Sequence, residues 1–516
     1  MADEPLVHGG ESVAAGSITT RTVSAGQWQV ASRGVQAVAQ FGVGILLARL
    51  LPPEDFGVVA LALVFTGFAK LVSNLGLGPA VIQHRNLTPR HIRLAFTLSV
   101  LFGLVMAGAL FLSAPAIGAV ARSDPLPGVL RVLALLFLAA GGEAVARALL
   151  RRALDFRHLF VIDITSYFAG YGLVAVSAAF SGLGFWSLVF GALAQAYIST
   201  ALTLFFARAP MRPLLALAEA RELLTFGASV SANGIVNYIS RNGDKFLVGR
   251  MLGEASLGLY SRAFTLVMLP LNHVSGVLNA VLFPAFSEIQ GDRSRIRSGF
   301  IMSVQLAALI TGPIVAGMLV AAPHMIRGLY GDPWVGAALP LQILCLAAIP
   351  RAVPPIAGAV SHACDRVLTE LVLQIGFAVL VLVGVILGAP HGLAGVAIFV
   401  AVAILCFSVA TSWLALSITG GTWGAFGLAQ APGFLVALLT GGVDVALRVV
   451  LEKIGAPSLV IFVLLVFASG LSVVLGVYLL PARVRPEDLF GHISSRPEWM
   501  PEGIHRGLRG ILRVSS

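Results

Sequence analysis

Arginine and amide side chains line one face of the first apolar segment of the chain, a place where polar groups are costly. The set follows intervals of four, three and four residues, which is one helical face: Gln29, Arg33, Gln36 and Gln40. The guanidinium of an arginine offers forked donors suited to phosphate oxygens. A stripe of this kind inside a membrane predicts a cavity that receives a polar, anionic molecule.

A second polar stripe lies in the seventh apolar segment and repeats at every fourth residue: Ser229, Asn233, Asn237 and Arg241. A shift of 201 residues superimposes Gln36 on Asn237 and Gln40 on Arg241. We therefore expect both stripes to face one shared central cavity. The alternative is that these side chains form buried hydrogen bonds between helices, as polar residues in membrane proteins also do.

Ionisable residues elsewhere in the apolar segments are further candidates, because such groups mark functional sites by default. Lys70 and Arg262 are predicted to join the binding residues, although Arg262 could equally extend its charge to the membrane surface. Glu143 and Arg147, four residues apart, are expected to pair with each other. Asp163 is a candidate site for H⁺ or Na⁺, and the alternative is an ion pair with an arginine of the preceding loop.

The elements that must position these residues are membrane-spanning helices. Of the 516 residues, 58% are hydrophobic and 11% are charged, whereas about a quarter of an average soluble protein is charged. This composition excludes a soluble enzyme, a disulfide scaffold and a disordered regulator, and it predicts an all-α polytopic membrane protein. Apolar runs of spanning length predict fourteen helices near residues 25–48, 57–75, 94–114, 128–148, 160–180, 186–207, 222–242, 258–284, 299–321, 337–360, 368–388, 392–416, 426–447 and 458–480.

Arginines concentrate in alternate connections, those after the second, fourth, sixth and eighth helices. The positive-inside rule places these connections, and with them both termini, in the cytoplasm. Residues 1–24 carry no apolar stretch with a cleavage site, so we expect no signal peptide. The end of the tail is interpreted either as an amphipathic helix on anionic membrane lipids or as a frayed basic segment.

An internal repeat organises the predicted helices, because residues 46–57 align without gaps on residues 247–258 at the same offset of 201. Six helices in each unit predict two lobes of the same orientation, which is a parallel repeat. The predicted regions are a cytoplasmic N-terminal segment (1–24), an N-lobe (25–207), a cytoplasmic linker (208–221), a C-lobe (222–416), two additional helices (417–480) and a basic cytoplasmic tail (481–516).

Sequence motifs of catalysis do not occur in the chain. It has no Walker A lysine, no Asp-x-Asp pair, no His-Glu-x-x-His and no Gly-x-Ser-x-Gly. Cys345, Cys364 and Cys406 lie in or beside apolar runs, at a spacing that suits no metal site. We therefore expect a protein that is not an enzyme, with no metal, no bound cofactor and no nucleic-acid partner.

Several longer motifs follow one another in a recognisable order. They are Ala-Arg-Leu-Leu-Pro-Pro-Glu-Asp-Phe-Gly at 48–57, Leu-Gly-Leu-Gly-Pro-Ala-Val-Ile-Gln at 75–83, Asp-Lys-Phe-Leu-Val-Gly-Arg-Met-Leu-Gly at 244–253, Leu-Gly-Leu-Tyr-Ser-Arg-Ala at 257–263 and Phe-Pro-Ala-Phe-Ser at 283–287. Over roughly residues 20–420, this order resembles the bacterial Wzx-type polysaccharide-transporter flippases of the multidrug/oligosaccharidyl-lipid/polysaccharide exporter superfamily.

The resemblance implies a two-lobed helical fold with alternating access to a central cavity. The implied substrate is an undecaprenyl-pyrophosphate-linked oligosaccharide, a repeat unit of O-antigen, capsule or exopolysaccharide, moved from the cytoplasmic to the periplasmic leaflet of the bacterial inner membrane. The family's cationic cavity carries over to Arg33 and Arg241, and further to Arg262 and Lys70. A polysaccharide polymerase and a chain-length regulator are expected partners. The sequence leaves open whether H⁺, Na⁺ or the membrane potential drives the cycle.

Two rival functions can be weighed against the same residues. A multidrug exporter of the superfamily should line its cavity with carboxylates and aromatic rings, whereas the two stripes here hold arginines and amides. A membrane glycan polymerase or ligase should need a sizeable periplasmic loop with functional Arg or His, and all predicted non-cytoplasmic loops are short. Both rivals are therefore less favoured than a flippase.

Overall fold

Helices make up the fold of this chain. The computed structural model describes residues 34–74, 78, 81–82, 87–207, 214, 217–289 and 291–480, without the side chains at 70–74, 217–237, 273–285 and 288. The predicted N-terminal segment, the basic tail and most of the predicted linker lie outside the described residues.

The described helices are, in chain order, α1 (Gly34–Leu50), α2 (Pro53–Asn74), α3 (Pro89–Ala121), α4 (Leu126–Leu133), α5 (Leu135–Arg152), α6 (Phe156–Tyr167), α7 (Val176–Phe180), α8 (Trp186–Ala207), α9 (Leu217–Glu288), α10 (Arg293–Tyr330), α11 (Ala338–Leu346), α12 (Ala348–Arg351), α13 (Val353–Ala363), α14 (Val367–Gly388), α15 (Gly392–Thr419), α16 (Trp423–Lys453) and α17 (Ser458–Leu479). A π-helical segment, Phe168–Ala175, joins α6 to α7. Short 3₁₀ turns precede α11 (Asp332–Ala337) and α15 (Ala389–His391).

The helices have the length and composition of membrane spans. Within the described residues, eight helical stretches are long and apolar enough to cross a bilayer, or nine if the bent pair Asp332–Leu346 and Ala348–Ala363 counts as one broken span. This pair turns by 60° at its break. The chain is therefore an all-helical, multi-pass membrane protein, while the count of fourteen helices and the internal repeat stay predictions.

Local sequence explains where several of these helices begin. Thr88 precedes α3 and its Oγ1 accepts the His91 N–H at 3.4 Å, so the hydroxyl satisfies a backbone donor that the first turn leaves free. Asp292 does the same for α10, accepting from the N–H of Ser294 at 3.0 Å. Within α9, Gly253 interrupts the helical geometry with a φ of 84°, a backbone conformation that is strained for residues with a Cβ.

Residue contacts divide the chain into two compact units, residues 1–258 and 259–516. The first unit has fully buried leucines from different helices, including Leu61, Leu94 and Leu130, and the second has a buried aromatic core that includes Phe300 and Trp334. The lobe boundary predicted near 208–221 differs from this contact boundary. The reason is that α9, up to Gly258, packs against α2 within the first unit.

Two glycines bring the first turn of α2 against the segment of α9 that follows Gly253. A Cβ on Gly57 would lie 1.8 Å from the backbone oxygen of Glu254, and a Cβ on Gly258 would lie 1.8 Å from that of Pro53. Gly57 and Gly258 are the pair that the repeat aligns, and so are Pro53 and Glu254. The contact is therefore reciprocal, and it requires that neither glycine carry a side chain.

In the second unit, α16 and α17 pack closely on α10 through small residues. A Cβ on Gly433 of α16 would lie 2.5 Å from the backbone oxygen of Ala308, and one on Gly312 of α10 would lie 2.8 Å from that of Gly433. Close backbone approach at small residues is the usual way in which membrane helices associate. The two additional helices are thus an integral part of this unit.

Candidate functional site

The predicted binding residues fall on several helices: Gln36 and Gln40 on α1, Lys70 on α2, and Asn233, Asn237, Arg241 and Arg262 on α9, with Arg262 in the second unit. Gln36 is half-buried and Gln40 is exposed on α1, while Arg241 is exposed on α9. Outside the described residues lie Arg33 and the side chains of three further candidates: Lys70, Asn233 and Asn237. The role of the stripes in binding stays a prediction.

The stretch of α9 that carries Arg241 is anchored by polar contacts. The Tyr238 hydroxyl donates to the backbone oxygens of Val64 at 2.8 Å and Leu63 at 3.2 Å, which ties α9 to α2. One turn on, Asn242 donates through Nδ2 to the Tyr238 backbone oxygen at 3.1 Å. A helix held in this way fixes the position from which the Arg241 side chain extends.

A cluster of charged side chains lies within the apolar helices of the first unit. Arg147 of α5 donates through Nη1 to Glu143 on the preceding turn, which confirms the predicted pair. Through Nη2 it donates to Asp163 of α6. The loop arginine expected to pair with Asp163 was therefore the wrong partner, because the helix crossing places Arg147 between the two carboxylates.

Hydroxyl groups of α8 complete this cluster. Ser199 donates to Glu143 Oε1 at 2.9 Å and lies 3.4 Å from Arg147 Nη1, and the fully buried Thr203 lies 3.5 Å from the same Glu143 oxygen. Among the described residues, the Glu143 carboxylate thus contacts donors from three side chains, whereas the Asp163 carboxylate accepts a hydrogen bond from one. Two carboxylates share one guanidinium, so the charge-cluster (Glu143, Arg147, Asp163, Ser199 and Thr203) has a net charge of −1 when both are ionised.

The π-helical segment begins five residues after Asp163 and packs tightly on α8. A Cβ on Gly170 would lie 2.6 Å from the backbone oxygen of Gly191, and one on Gly191 would lie 2.7 Å from the Cβ of Ala175. Segments with π hydrogen bonding inside α-helices occur frequently at functional sites. Its place beside the charge-cluster marks this part of the first unit as a functional candidate.

Two arginines of the second unit stack on aromatic rings. The Cζ of Arg262 lies 5.9 Å from the ring centroid of Tyr330 and 6.0 Å from that of Trp334, which is a cation–π arrangement. The Cζ of Arg351 lies 5.3 Å from the Phe264 ring, next to the break between α12 and α13. Arg262, a predicted binding residue, therefore lies on buried aromatic side chains.

The hydroxyls of Ser199 and Thr203 are functional candidates that sequence reasoning missed. Their spacing of four places them on one face of α8, but single hydroxyls are common in apolar helices and carry no specific signal. Asp163 was found because a charge stands out in an apolar run. Across the described residues, no group of three His, Cys, Asp or Glu side chains is arranged to hold a metal ion.

Comparison with known proteins gives a family match across much of the chain. The model of a family described as polysaccharide biosynthesis protein matches residues 46–339. The lipopolysaccharide biosynthesis protein WzxC of Escherichia coli (strain K12) is 28% identical over 357 residues, which cover 68% of this chain and 72% of that protein. The succinoglycan biosynthesis transport protein ExoT of Rhizobium meliloti (strain 1021) is 28% identical over 323 residues, 62% of this chain and 64% of its own.

A solved structure shares the fold. The lipid II flippase MurJ, in an inward closed conformation, superimposes with a TM-score of 0.68 over 90% of this chain and 99% of its own, at 12% sequence identity. At that identity the likeness concerns the fold alone. Because the matched residues 46–339 make up more than half of the chain, this protein belongs to the polysaccharide biosynthesis protein family.

Proposed function

We propose that this protein moves an undecaprenyl-pyrophosphate-linked oligosaccharide from the cytoplasmic to the periplasmic leaflet of a bacterial inner membrane. The observation that carries the proposal is the family match over residues 46–339, with relatives named for lipopolysaccharide biosynthesis and for succinoglycan transport. A multi-pass helical fold similar to that of a flippase supports it. The names of these relatives favour a transporter over an enzyme.

The physical task explains the residues that we assign to binding. Sugars and a pyrophosphate cannot cross hydrocarbon unaided, because burying unpaired polar and charged groups is costly. Arg33 and Arg241 would bind the pyrophosphate, since guanidinium donors match phosphate oxygens and attraction strengthens where the dielectric constant is low. The remaining predicted side chains would hydrogen-bond the headgroup and sugars, or add positive charge: Gln36, Gln40, Lys70, Asn233, Asn237 and Arg262.

The charge-cluster supplies a candidate coupling site for this transport. Among the described residues, the Glu143 carboxylate contacts three donor side chains, whereas the Asp163 carboxylate contacts only the guanidinium of Arg147. The side chain of Asp163 keeps 26% of its surface exposed. We infer that Asp163 takes up and releases H⁺ or Na⁺, which neutralises the surplus negative charge of the cluster.

Glycan export in a strain that lacks its own flippase tests the binding residues. We expect Arg33→Ala and Arg241→Ala each to reduce export strongly, and Arg241→Lys to restore part of it because the positive charge remains. The matched control is Arg327→Ala, an arginine whose side chain is 58% exposed beside Asp332. Normal export by the Arg33/Arg241 double alanine variant, at normal protein level, would refute the assigned binding site.

Transport by purified protein in liposomes tests the coupling ion. A pH gradient and a Na⁺ gradient are imposed separately, and we expect one of them to accelerate flipping by the native chain. Asp163→Asn should abolish that acceleration, whereas Asp332→Asn, which changes a side chain that is 82% exposed, should preserve it. A gradient response that survives in Asp163→Asn would exclude Asp163 as the coupling residue.

The cellular setting completes the proposal. We infer that both termini face the cytoplasm, and that a polysaccharide polymerase and a chain-length regulator use the exported unit. Relatives named for polysaccharide biosynthesis support this setting. A multidrug exporter is the second candidate, and uptake or export of cationic dyes by the native chain would favour it.

A further inference from the structure

The two additional helices carry a carboxyl group in their interior. Asp444 lies on α16, and none of its surface is exposed. It faces α17 and α10 in the second unit, in the part of the chain that follows the family match at residues 46–339. An ionisable side chain at this depth requires a physical explanation, because an isolated charge is strongly disfavoured in such surroundings.

Few groups are available to stabilise a negative charge on this carboxyl. The Ser469 hydroxyl of α17 is hydrogen-bonded to Asp444 Oδ2 at 2.6 Å. The other carboxyl oxygen, Oδ1, is buried and has no hydrogen-bond partner among the described residues. One turn away, the Ser472 hydroxyl lies 2.9 Å from the backbone oxygen of Ser469 and 3.1 Å from Thr440 Oγ1, so it is engaged by these two groups.

The neighbouring charged groups are paired elsewhere. Arg448, one turn further along α16, donates to Glu452 at 2.8 Å, and His324 of α10 contacts the same carboxylate at 2.8 Å. Arg327 of α10 donates to Asp332, and α17 carries no charged residue. No cation of the described second unit therefore compensates a charge on Asp444.

On the side of α10, the packing leaves little space for a metal ion beside this carboxyl. A Cβ built on Gly317 of α10 would lie 2.6 Å from Ser469 Oγ and 3.4 Å from Asp444 Oδ2. A proton needs no such space. It converts the carboxylate into a neutral acid whose O–H can donate to Ser469 Oγ, at a distance typical of O–H···O hydrogen bonds.

We propose that Asp444 is a proton-binding site, in which a neutral carboxylic acid hydrogen-bonds Ser469 and fastens α17 to α16 beside α10. The bound ligand is H⁺, added to one carboxylate oxygen without any other change in bonding. The proposal stands independently of the flipping function and of the coupling role of Asp163. It gives the two additional helices a site of their own.

Infrared spectroscopy of the full chain in lipid nanodiscs tests the proposal at neutral pH. We expect a carbonyl stretching band of a protonated carboxyl group, and we expect Asp444→Asn to remove it. Asp332→Asn is the control and should leave the band intact, because that side chain is exposed and lies far along the chain from the buried site. A spectrum in which Asp444→Asn removes a carboxylate band instead would overturn the proposal.

Two further measurements keep the test decisive if Asp444→Asn folds poorly. Ser469→Ala should shift the same carbonyl band to higher frequency, because the acid loses its hydrogen bond; an unshifted band would contradict the proposed contact. Replacing Na⁺ by choline should change the melting temperatures of the native chain and of Ser469→Ala by the same amount. A Na⁺-dependent increase in the melting temperature of the native chain that is lost in Ser469→Ala would show that a metal ion is the ligand instead.

Discussion

The reciprocal contact between α2 and α9 makes a quantitative prediction about side-chain volume. In Gly57→Ala the new Cβ would stand 1.8 Å from the backbone oxygen of Glu254, whereas ordinary contact begins at 3.4 Å. The two backbones must therefore separate locally by about 1.6 Å, the difference between these distances. Backbone atoms cannot rotate away as a flexible side chain can, so the helices themselves have to move.

The energetic consequence follows from the usual cost of overpacking. Inserting one methyl group into a well-packed contact costs about 1–3 kcal/mol, and we expect Gly57→Ala to fall in the upper part of this range. Gly258→Ala should cost a similar amount, since its Cβ would meet the backbone oxygen of Pro53 at the same distance. The double variant should lose less than the sum, by about 0.5 kcal/mol or more, because the first methyl group already separates the helices.

Reversible unfolding of the purified chain in mixed micelles measures these free energies. The matched control is Gly108→Ala, at an exposed position of α3 where an added Cβ meets nothing within 4 Å. That variant should be neutral or slightly stabilising, because alanine favours a helix over glycine. The steric reasoning is refuted if Gly57→Ala unfolds like Gly108→Ala, or if the two glycine changes are strictly additive.

Three other predictions concern single side chains. Arg147→Met leaves two partly buried carboxylates without a cation, so it should lower the free energy of unfolding by about 3 kcal/mol. The control Arg157→Met, at an exposed position of α6, should change that free energy little. Equal losses for the two variants in chemical unfolding would contradict this reasoning. Burial raises the pKa of the Cys364 thiol, which lies between α13 and α14. In a chain with Cys345 and Cys406 replaced by serine, its reaction with a membrane-impermeant maleimide should shift to higher pH than that of free cysteine, and it should occur in inverted vesicles but not in intact cells if the predicted topology is right. Burial also raises the pKa of Asp55, which lies just before the predicted span 57–75. The hydrogen bond that its carboxyl group accepts from the Phe185 backbone N–H lowers the pKa by a smaller amount. Because a raised native pKa means that stability is lost as the pH rises through it, Asp55→Asn should gain in melting temperature over the native chain as the pH increases above about 4; a constant difference would contradict the assignment.

Hydropathy located the helices well where a span is bounded by turn residues. The predicted span 186–207 coincides with α8, and 392–416 lies within α15. Local spacing also identified the pair of Glu143 and Arg147, because residues four apart on a helix are neighbours. Such features depend only on residues close in sequence, which a single chain displays directly.

Features that depend on packing between helices could not be predicted from local sequence patterns. Asp163 stood out by its charge, but its partner Arg147 follows from a crossing between α5 and α6 that no local pattern encodes. The thirteenth predicted span ends near residue 447, yet α16 continues to Lys453 and buries Asp444 against α17. The shared principle is that the environment of a polar group in a membrane protein is set by neighbouring helices.

The π-helical segment between α6 and α7 has a consequence for how this part of the chain tolerates length changes. In an α-helix, deleting one residue rotates everything beyond it by about 100°, since each turn holds 3.6 residues. A stretch with i→i+5 bonding holds surplus residues, and losing one of them can return it to α geometry while both flanks keep their faces. Residues Phe168–Ala175 are thus the place where this membrane span can shorten by one residue and still direct Asp163 toward Arg147.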